Sequence, residues 1–479
     1  MRCQGGVRGV AMWLVMVSAT VASAAVKLPA VIGDNMVLQR GQSVPIWGWA
    51  DKGEEVTVAI AGQSVAAKAD DNGRWQVSLA KLETGGPLEM TVKSPAGSLT
   101  LKNILVGEVW ICSGQSNMEM GITMANNAKQ EIAAADYPQI HLFTVTKTQT
   151  KEPATDVKGA WAECSPTTIL SGAWGGFSAS AYYFGRSLHK ELKVPVGLIH
   201  TSWGGSPAEA WTSRKALESA AEENPVMKGA HGSGMYNGMI APLIPYGIRG
   251  AIWYQGESNV GRAFQYRTLF PTMIRNWRTD WAQGDFPFYF VQIAPYMYNR
   301  PGKDKKPVDP ARLQACAELW EAQLLTLKNV PATGMVVTTD IGDLKDIHPK
   351  NKQDVGGRLA LWALAKVYGR DVVCSGPIYR SMAVEGGKIR LQFDSAVGLK
   401  SADGKPLSCF TIAGADEKFA AADAAIDGET VVVCAKEVAQ PVAVRFAWRE
   451  DAAPNLANQA GLPASPFRTD TWKGVTEPK

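Results

Sequence analysis

The chain has 479 residues, of which 46% are hydrophobic and 20% are charged. This length predicts two to four domains, and this composition excludes a disordered or a collagen-like protein. The 49 lysines and arginines nearly balance the 45 aspartates and glutamates, and no long run of like charges occurs. The sequence therefore argues against a protein that binds nucleic acid or a membrane surface through a basic field.

The first 24 residues have the pattern of a secretory signal peptide. Arg2 and Arg8 precede an apolar stretch from Val10 to Ala22, and small residues follow up to Ala24. We therefore predict cleavage after Ala24 and export, either to the periplasm or out of the cell. No later segment reaches 18 apolar residues, so no membrane span is expected in the mature chain.

Six cysteines remain after the predicted signal peptide. An even number in an exported protein permits disulfides, although the sequence does not determine their pairing. Neither a Cys-x-x-Cys pair nor a cluster of histidines and cysteines is present, so a structural zinc site is not expected.

Strand-like patterns flank the middle of the chain on both sides. In residues 25–103, apolar side chains alternate with polar or small ones in Val56–Ile60 and Trp75–Leu79, and an Asp-Asn-Gly turn separates the two stretches. The same alternation returns at Ile389–Phe393, within residues 371–479. We predict an N-terminal β-domain over the first range and a C-terminal β-region over the last, both similar to small β-sandwiches.

The middle of the chain, residues 104–370, alternates short apolar strands with amphipathic helices. The clearest helices are predicted at Ser178–Leu192 and from about Gln353 to Tyr368. This alternation predicts an α/β domain of three layers, with a parallel sheet covered by helices on both faces. The predicted strands are Val109–Cys112, Val196–His200, Ala251–Tyr254, Phe288–Ile293 and Met335–Thr338.

Residues suited to ester chemistry follow the first two of these strands. Ligands of open parallel sheets bind outside the carboxyl ends of the strands, so we expect a site there. Ser116 lies in a turn of small residues before a helix, where oriented amides favour negative charge, and it is a candidate nucleophile. The Gly-x-Ser-x-Gly nucleophile motif is absent. Gly205 follows the second strand and can bring a backbone N–H close to a reacting group, as in an oxyanion hole.

The loops after two later strands add polar candidates. Gln255 can donate an amide N–H, and Glu257 can accept a hydrogen bond from an imidazole. His348 precedes the last helix and is the best general-base candidate, because its acidic neighbours could fix its tautomer. His200 is the reserve base, and His231 lies in a Gly-Ser loop from which it could touch substrate.

Two other classes of function compete with an esterase. Glu257 with Asp343 or Asp346 could frame a glycosidic bond, as the paired carboxylates of a glycosidase do. That hypothesis leaves Ser116 and the glycines unexplained. A carbohydrate-binding protein with an inactive esterase fold is the second alternative, and the presence of both Ser116 and His348 argues against it.

Three segments, Gly114–Met118, Trp253–Glu257 and Asp346–Pro349, together resemble the sialate O-acetylesterase family. These are carbohydrate acetylesterases of the SGNH hydrolase superfamily. The resemblance covers nearly the whole mature chain, including Gly461–Pro463 and Pro466–Asp470. It implies an SGNH-type fold, no metal or organic cofactor, and O-acetylated carbohydrate as the partner. Sialic acid is the sugar that the family implies, and acetylated xylan or xyloglucan is the alternative substrate.

The resemblance also implies a role for several residues of the site. Ser116 is similar to the family's nucleophile, and His348 is similar to its general base. The amides of Ser116 and Gly205 and the side chain of Gln255 correspond to its oxyanion donors.

One position departs from the superfamily pattern. An aspartate usually lies three residues before the histidine, and Lys345 occupies that position here. We therefore expect Asp346 to orient His348, with Glu257 and Asp343 as alternatives. A pair of serine and histidine with only a weakly acting carboxylate is the remaining possibility.

Overall fold

The structure is a computed structural model that describes residues 26–172, 174–299 and 310–478, together with Met1. The predicted signal peptide lies outside the described residues. Over the described part of the chain, no helix combines the length and the apolar character that crossing a membrane requires.

The N-terminal part of the chain is β-rich, as the alternating pattern predicts. Val56, Val58 and Ile60 are buried, and so are Trp75 and Leu79. The strands here are β1 (Val37–Gln39), β2 (Val44–Trp49), β3 (Glu55–Ile60), β4 (Gln63–Lys68), β5 (Arg74–Leu79), β6 (Gly85–Ser94) and β7 (Gly97–Gly114).

The central part alternates strands with helices. The further strands are β8 (Tyr137–Thr144), β9 (Trp161–Cys164), β10 (Val196–Ser202), β11 (Gly250–Tyr254), β12 (Phe288–Val291) and β13 (Thr333–Val336). The helices are α1 (Ser116–Glu119), α2 (Ala128–Ala133), α3 (Ala179–Leu192), α4 (Arg214–Glu223), α5 (Ala263–Trp281), α6 (Ala315–Asn329) and α7 (Lys352–Lys366). Shorter helical turns connect these elements. The five predicted strands and both predicted helices are present. The strand predicted at Val109–Cys112 is the last part of the longer β7, and the ends of the other elements differ by a few residues.

The central sheet has the strand order β13-β12-β11-β7-β10-β8-β9. All neighbours along it pair in parallel except β9, which pairs antiparallel with β8 at one edge. Successive side chains of a strand point to opposite faces. Because Trp110 lies opposite Gly250 in the register, Trp110 and Trp253 lie on opposite faces of the sheet. Trp110 packs against Phe184 of α3, and Trp253 packs against Phe270 of α5. Helices therefore cover both faces, as predicted.

Strand β7 belongs to two sheets. Its first half pairs antiparallel with β6, where Met90 lies opposite Leu101. Its second half pairs in parallel with β10, where Cys112 lies opposite His200. The boundary predicted after residue 103 thus falls within one continuous strand, which links the N-terminal β-region to the central sheet.

The C-terminal part folds into small antiparallel sheets. The order within the two larger ones is β14-β15-β20-β19 and β18-β17-β21-β23, and β16 pairs with β22. The strands are β14 (Ile378–Glu385), β15 (Lys388–Asp394), β16 (Lys400–Ser401), β17 (Phe410–Ala413), β18 (Phe419–Ala421), β19 (Asp423–Asp427), β20 (Thr430–Cys434), β21 (Ala443–Phe446), β22 (Leu456–Ala457) and β23 (Phe467–Arg468).

Charged contacts join both β-regions to the central domain. Glu108 is fully buried and forms ion pairs with Arg40, at 2.6 Å, and with Arg249, at 2.7 Å. On the other side, Arg468 of β23 lies 2.8 Å from Glu321 of α6. The six described cysteines are free thiols, so the disulfides that their number permits do not form.

Glycine at position 114 allows β7 to end in a sharp turn. A Cβ atom at this position would lie 2.1 Å from the carbonyl oxygen of Tyr254, and its φ of +143° also disfavours other residues. The chain then enters α1 at Ser116. The loops after β10, β11 and β13 lie at the same carboxyl edge of the sheet.

Candidate active site

Ser116 is the first residue of α1, directly after the turn that ends β7. Its side chain is half-buried, and the backbone of Gly204 packs beside it. A Cβ atom on Gly204 would lie 3.3 Å from the Cβ of Ser116. Glycine at position 204 therefore lets the loop after β10 pass close to Ser116 without crowding its side chain.

His348 contacts this hydroxyl. The Nε2 atom of His348 lies 2.9 Å from the Oγ of Ser116, a normal hydrogen-bond distance. His348 lies in the loop between β13 and α7, so the contact joins two distant segments of the chain. The ring of Trp174 meets the imidazole edge-on, with 5.0 Å between the ring centroids. The structure thus brings the predicted nucleophile and the predicted base together.

The surroundings of His348 favour its neutral form. Burial lowers the pKa of His348 below its ordinary value, and the positive charge of Lys352 lowers it further. The carboxylate of Asp346 acts in the opposite direction. A neutral imidazole can accept the proton of a serine hydroxyl, which is what a general base must do.

Of the three candidate carboxylates, Asp346 is the one that lies beside the imidazole of His348 within the described chain. Its Oδ1 lies 3.6 Å from Nδ1 of His348, longer than a hydrogen bond, and it accepts the backbone N–H of His348 at 3.0 Å. Asp343 instead accepts the backbone N–H groups of Lys345 and Asp346. Glu257 accepts from the side-chain amide of Asn117 at 2.5 Å. The geometry thus matches a serine–histidine pair with a weakly acting carboxylate.

The side chain of Gln255, predicted to be an oxyanion donor, makes other hydrogen bonds in the structure. This side chain is fully buried, and its Nε2 donates to the carbonyl of Ser206 and to Oδ1 of Asn259. Its Oε1 accepts from the hydroxyl of Tyr266. Both amide hydrogens are committed within the protein, so Gln255 has none to offer an oxyanion in this conformation.

Two backbone amides remain as candidate oxyanion donors. Ser116 and Gly205 both line the cleft, and Gly205 has a positive φ of +76°, which glycine adopts readily. The neighbouring amide of Gly204 is not available in the same way, because it donates to Oε2 of Glu119 at 2.6 Å. The other oxygen of Glu119 lies 2.6 Å from the ammonium of Lys147.

The cleft around this pair has a volume of about 480 Å³. Its lining consists of Gln115, Ser116, Glu119, Trp174, Gly204, Gly205, Glu257, Ser258, Tyr298, Ile347 and His348. His231 lines a separate cavity of about 580 Å³. His200, the reserve base, is fully buried against Ser202, and burial lowers its pKa to about 3. Neither residue contributes to the cleft.

Several residues of the site were not found from the sequence. Trp174 follows no strand and belongs to no motif, so only the structure places it beside His348. Lys352 is fully buried and donates to Oδ1 of Asn117 at 2.5 Å, although a lysine in the first turn of a helix normally indicates a solvent-exposed side chain. Glu119 directly follows the Gly114–Met118 motif, which was a signal available in the sequence. Among the described residues, no three or more His, Cys, Asp or Glu side chains are grouped as metal ligands would be.

Comparison with known proteins identifies the family. The family model described as "Carbohydrate esterase, sialic acid-specific acetylesterase" matches residues 106–364, which is more than half of the chain. The chain belongs to this family. It is therefore an esterase, and the resemblance seen in its three motifs is confirmed.

Relatives extend the match beyond the central domain. The sialate O-acetylesterase of Rattus norvegicus is 30% identical over 444 residues, which cover 79% of this chain and 81% of the rat protein. The sialate O-acetylesterase of Homo sapiens is 30% identical over 420 residues, covering 79% of each chain. The crystal structure of a carbohydrate acetylesterase from Xanthomonas citri is 38% identical, with a TM-score of 0.86 over 93% of this chain and all of that one. This match confirms the α/β fold with its additional β-regions.

The pKa of His348 predicts the pH dependence of ester hydrolysis. Protonated His348 cannot accept the serine proton, so activity falls as the pH drops through the pKa of this residue. Because burial and Lys352 hold that pKa below 6.5, we expect the acidic limb of kcat/KM for nitrophenyl acetate to lie below pH 6.5. Initial rates across the acidic and neutral range measure it. If the acidic limb of kcat/KM lies at or above pH 6.5, the described environment of His348 is contradicted.

Proposed function

We propose that this chain is a serine esterase that removes O-acetyl groups from sugars through an acetyl-Ser116 intermediate. The contact of 2.9 Å between Oγ of Ser116 and Nε2 of His348, inside a cleft of an esterase-family fold, is the observation that carries this proposal. The mechanism follows from the groups that line the cleft.

In the first half-reaction, Ser116 attacks the acetyl ester. Nε2 of His348 takes the proton from Oγ as this oxygen bonds to the carbonyl carbon. The carbonyl oxygen becomes negatively charged and receives hydrogen bonds from the backbone amides of Ser116 and Gly205. The bond between the carbonyl carbon and the sugar oxygen then breaks, and His348 returns its proton to that oxygen. The deacetylated sugar leaves, and the acetyl group stays on Ser116.

In the second half-reaction, water releases the acetyl group. His348 takes a proton from water as the hydroxide oxygen bonds to the acetyl carbon, and the same amides hold the new oxyanion. The bond to Oγ then breaks, His348 returns its proton to Ser116, and acetic acid leaves and gives up its proton to water as acetate. Asp346 stabilises the imidazolium formed in each half-reaction, weakly, because its carboxylate is half-exposed and 3.6 Å away.

Sialic acid is the first candidate sugar, because the rat and human relatives are named sialate O-acetylesterases. A neutral acetylated sugar of a plant polysaccharide such as xylan or xyloglucan is the second candidate. One observation favours it: the described lining of the cleft contains the carboxylates of Glu119 and Glu257 and neither a lysine nor an arginine. Like charges disfavour an acidic sugar next to these groups.

Replacing Ser116 tests the nucleophile. We expect Ser116→Ala to lower kcat for nitrophenyl acetate by about five to six orders of magnitude, because no other group forms the acyl intermediate. The matched control is Ser219→Ala, which removes an exposed hydroxyl on α4 and should retain wild-type rates. Retained turnover in folded Ser116→Ala would refute the assignment.

Acetate release by the wild-type enzyme from acetylated sialoglycans, xylan and xyloglucan decides between the two candidate sugars.

Trp174 is suited to hold the sugar. Its indole is 40% exposed, lines the cleft and lies edge-on to the ring of His348. A large aromatic surface at the mouth of a cleft buries much apolar area of a bound ring. Nitrophenyl acetate carries no sugar and therefore gains less from such a surface.

Truncating Trp174 should separate sugar binding from ester chemistry. We expect Trp174→Ala to raise KM for an acetylated oligosaccharide by about tenfold, while kcat/KM for nitrophenyl acetate changes less than threefold. Leu170→Ala is the control, since Leu170 is 48% exposed in the same part of the chain and does not line the cleft. Equal losses on both substrates would show that Trp174 supports His348 and does not bind the sugar.

A further inference from the structure

A buried charged cluster lies behind His348, and the ester chemistry above does not use it. Lys352, the first residue of α7, is fully buried. Its ammonium donates to Oδ1 of Asn117 at 2.5 Å and lies 5.0 Å from the ring centroid of Tyr254. Glu257, on the far side of Asn117, has one carboxylate oxygen that is buried without a hydrogen-bond partner among the described residues. Removing an ammonium and a carboxylate from water is unfavourable, and the contacts of both groups must offset that cost.

The Asn117 amide connects the two charges. Its Nδ2 donates to Oε1 of Glu257 at 2.5 Å and to the carbonyl oxygen of Ile347 at 2.9 Å. Only the amide oxygen can accept from an ammonium, and only the amide nitrogen can donate to a carboxylate. Lys352 and Glu257 therefore select one orientation of the Asn117 amide.

This orientation holds the two halves of the site together. Asn117 directly follows Ser116 in α1, and Ile347 directly precedes His348 in the loop after β13. The bond from Nδ2 of Asn117 to the Ile347 carbonyl thus attaches the backbone that carries His348 to the helix that carries Ser116. A displacement of about 1 Å in such a pair can cost on the order of a hundredfold in rate.

We propose that Lys352 is a positioning residue of the Ser116–His348 pair, which orients the Asn117 amide and through it fixes the loop that carries His348. This inference rests on the proposed function and adds a residue that touches neither substrate nor the reacting atoms.

The charge of Lys352 supplies a readout that packing alone would not give. His348 faces Asp346 on its own loop, Lys352 on α7, and Glu257 beyond Asn117, while Glu119 and Tyr298 line the same cleft. Burial lowers the pKa of Lys352 to about 7, so Lys352 is protonated at the more acidic pH where His348 titrates. Its positive charge there lowers the pKa of His348, and removing the charge should raise that pKa.

Lys352→Met tests the proposal, since methionine keeps an unbranched stem and removes the ammonium. With nitrophenyl acetate as substrate, we expect kcat to fall by about ten- to a hundredfold, KM to change little, and the acidic limb to move to higher pH. Lys350→Met is the matched control, because Lys350 is an exposed lysine two residues before Lys352, in the loop that leads into α7. It should reproduce the wild-type rates and pH profile.

A double-mutant cycle tests the route through Asn117. If Lys352 acts by orienting that amide, Lys352→Met adds little to the kcat loss already caused by Asn117→Leu. Additive losses would contradict the route.

Loss of the ammonium leaves Glu257 buried without its counter-charge, so Lys352→Met is checked for folding by circular dichroism. If it does not fold, Lys352→Met combined with Glu257→Gln carries the test, because this pair removes both charges and keeps a neutral acceptor for Asn117. If neither variant folds, Lys352 serves stability alone and the proposal is overturned.

The remaining outcomes separate this inference from the proposed function. Wild-type kcat and pH profile in folded Lys352→Met overturn the inference and leave Ser116 as nucleophile. If folded Ser116→Ala keeps the wild-type turnover, the proposed function itself is overturned, and this inference falls with it.

Discussion

The hydrogen bond between Ser116 and His348 is the contact on which the account of this protein depends. It joins residues that are 232 positions apart in the chain, from the loops after β7 and β13. The parallel sheet makes this possible, because the carboxyl ends of its strands open at one edge. Gly114 lets β7 turn abruptly, so that Ser116 begins α1 at this edge. The fold thus brings the proposed nucleophile and the proposed base from two remote segments into contact.

The surroundings of the pair favour the neutral form of His348, which is the form that the proposed mechanism requires. Its partial burial and the nearby ammonium of Lys352 both disfavour imidazolium, while Asp346 favours it from 3.6 Å. In the usual triad a buried carboxylate bonds directly to the imidazole and orients it. Here the side-chain amide of Asn117 donates to the Ile347 carbonyl, and we propose that this bond performs part of that orientation. The long distance from Asp346 to His348 and the hydrogen bond that holds the His348 loop are thus consistent with each other, because the loop contact reduces the need for an orienting carboxylate.

The sequence predicts the sheet, both flanking β-regions and the residues at the strand ends, because apolar periodicity and strand-end positions follow from local pattern. Ser116 and His348 were singled out in this way, and their side chains lie in contact. The hydrogen bonds of Gln255 could not be predicted in the same way. Its amide donates to Ser206 and Asn259, and only the tertiary structure brings these residues close to it. Lys352 was missed for the same reason. Its burial follows from packing against Asn117, and nothing in the pattern of α7 distinguishes it from a surface lysine.

The most direct test of the central claim is covalent labelling by an organophosphate, followed by mass mapping of the peptides. The account predicts a single modified peptide that contains Ser116, and labelling that slows by orders of magnitude in His348→Ala, since the imidazole must take the hydroxyl proton. Label on another serine, or an unchanged labelling rate in His348→Ala, would contradict it.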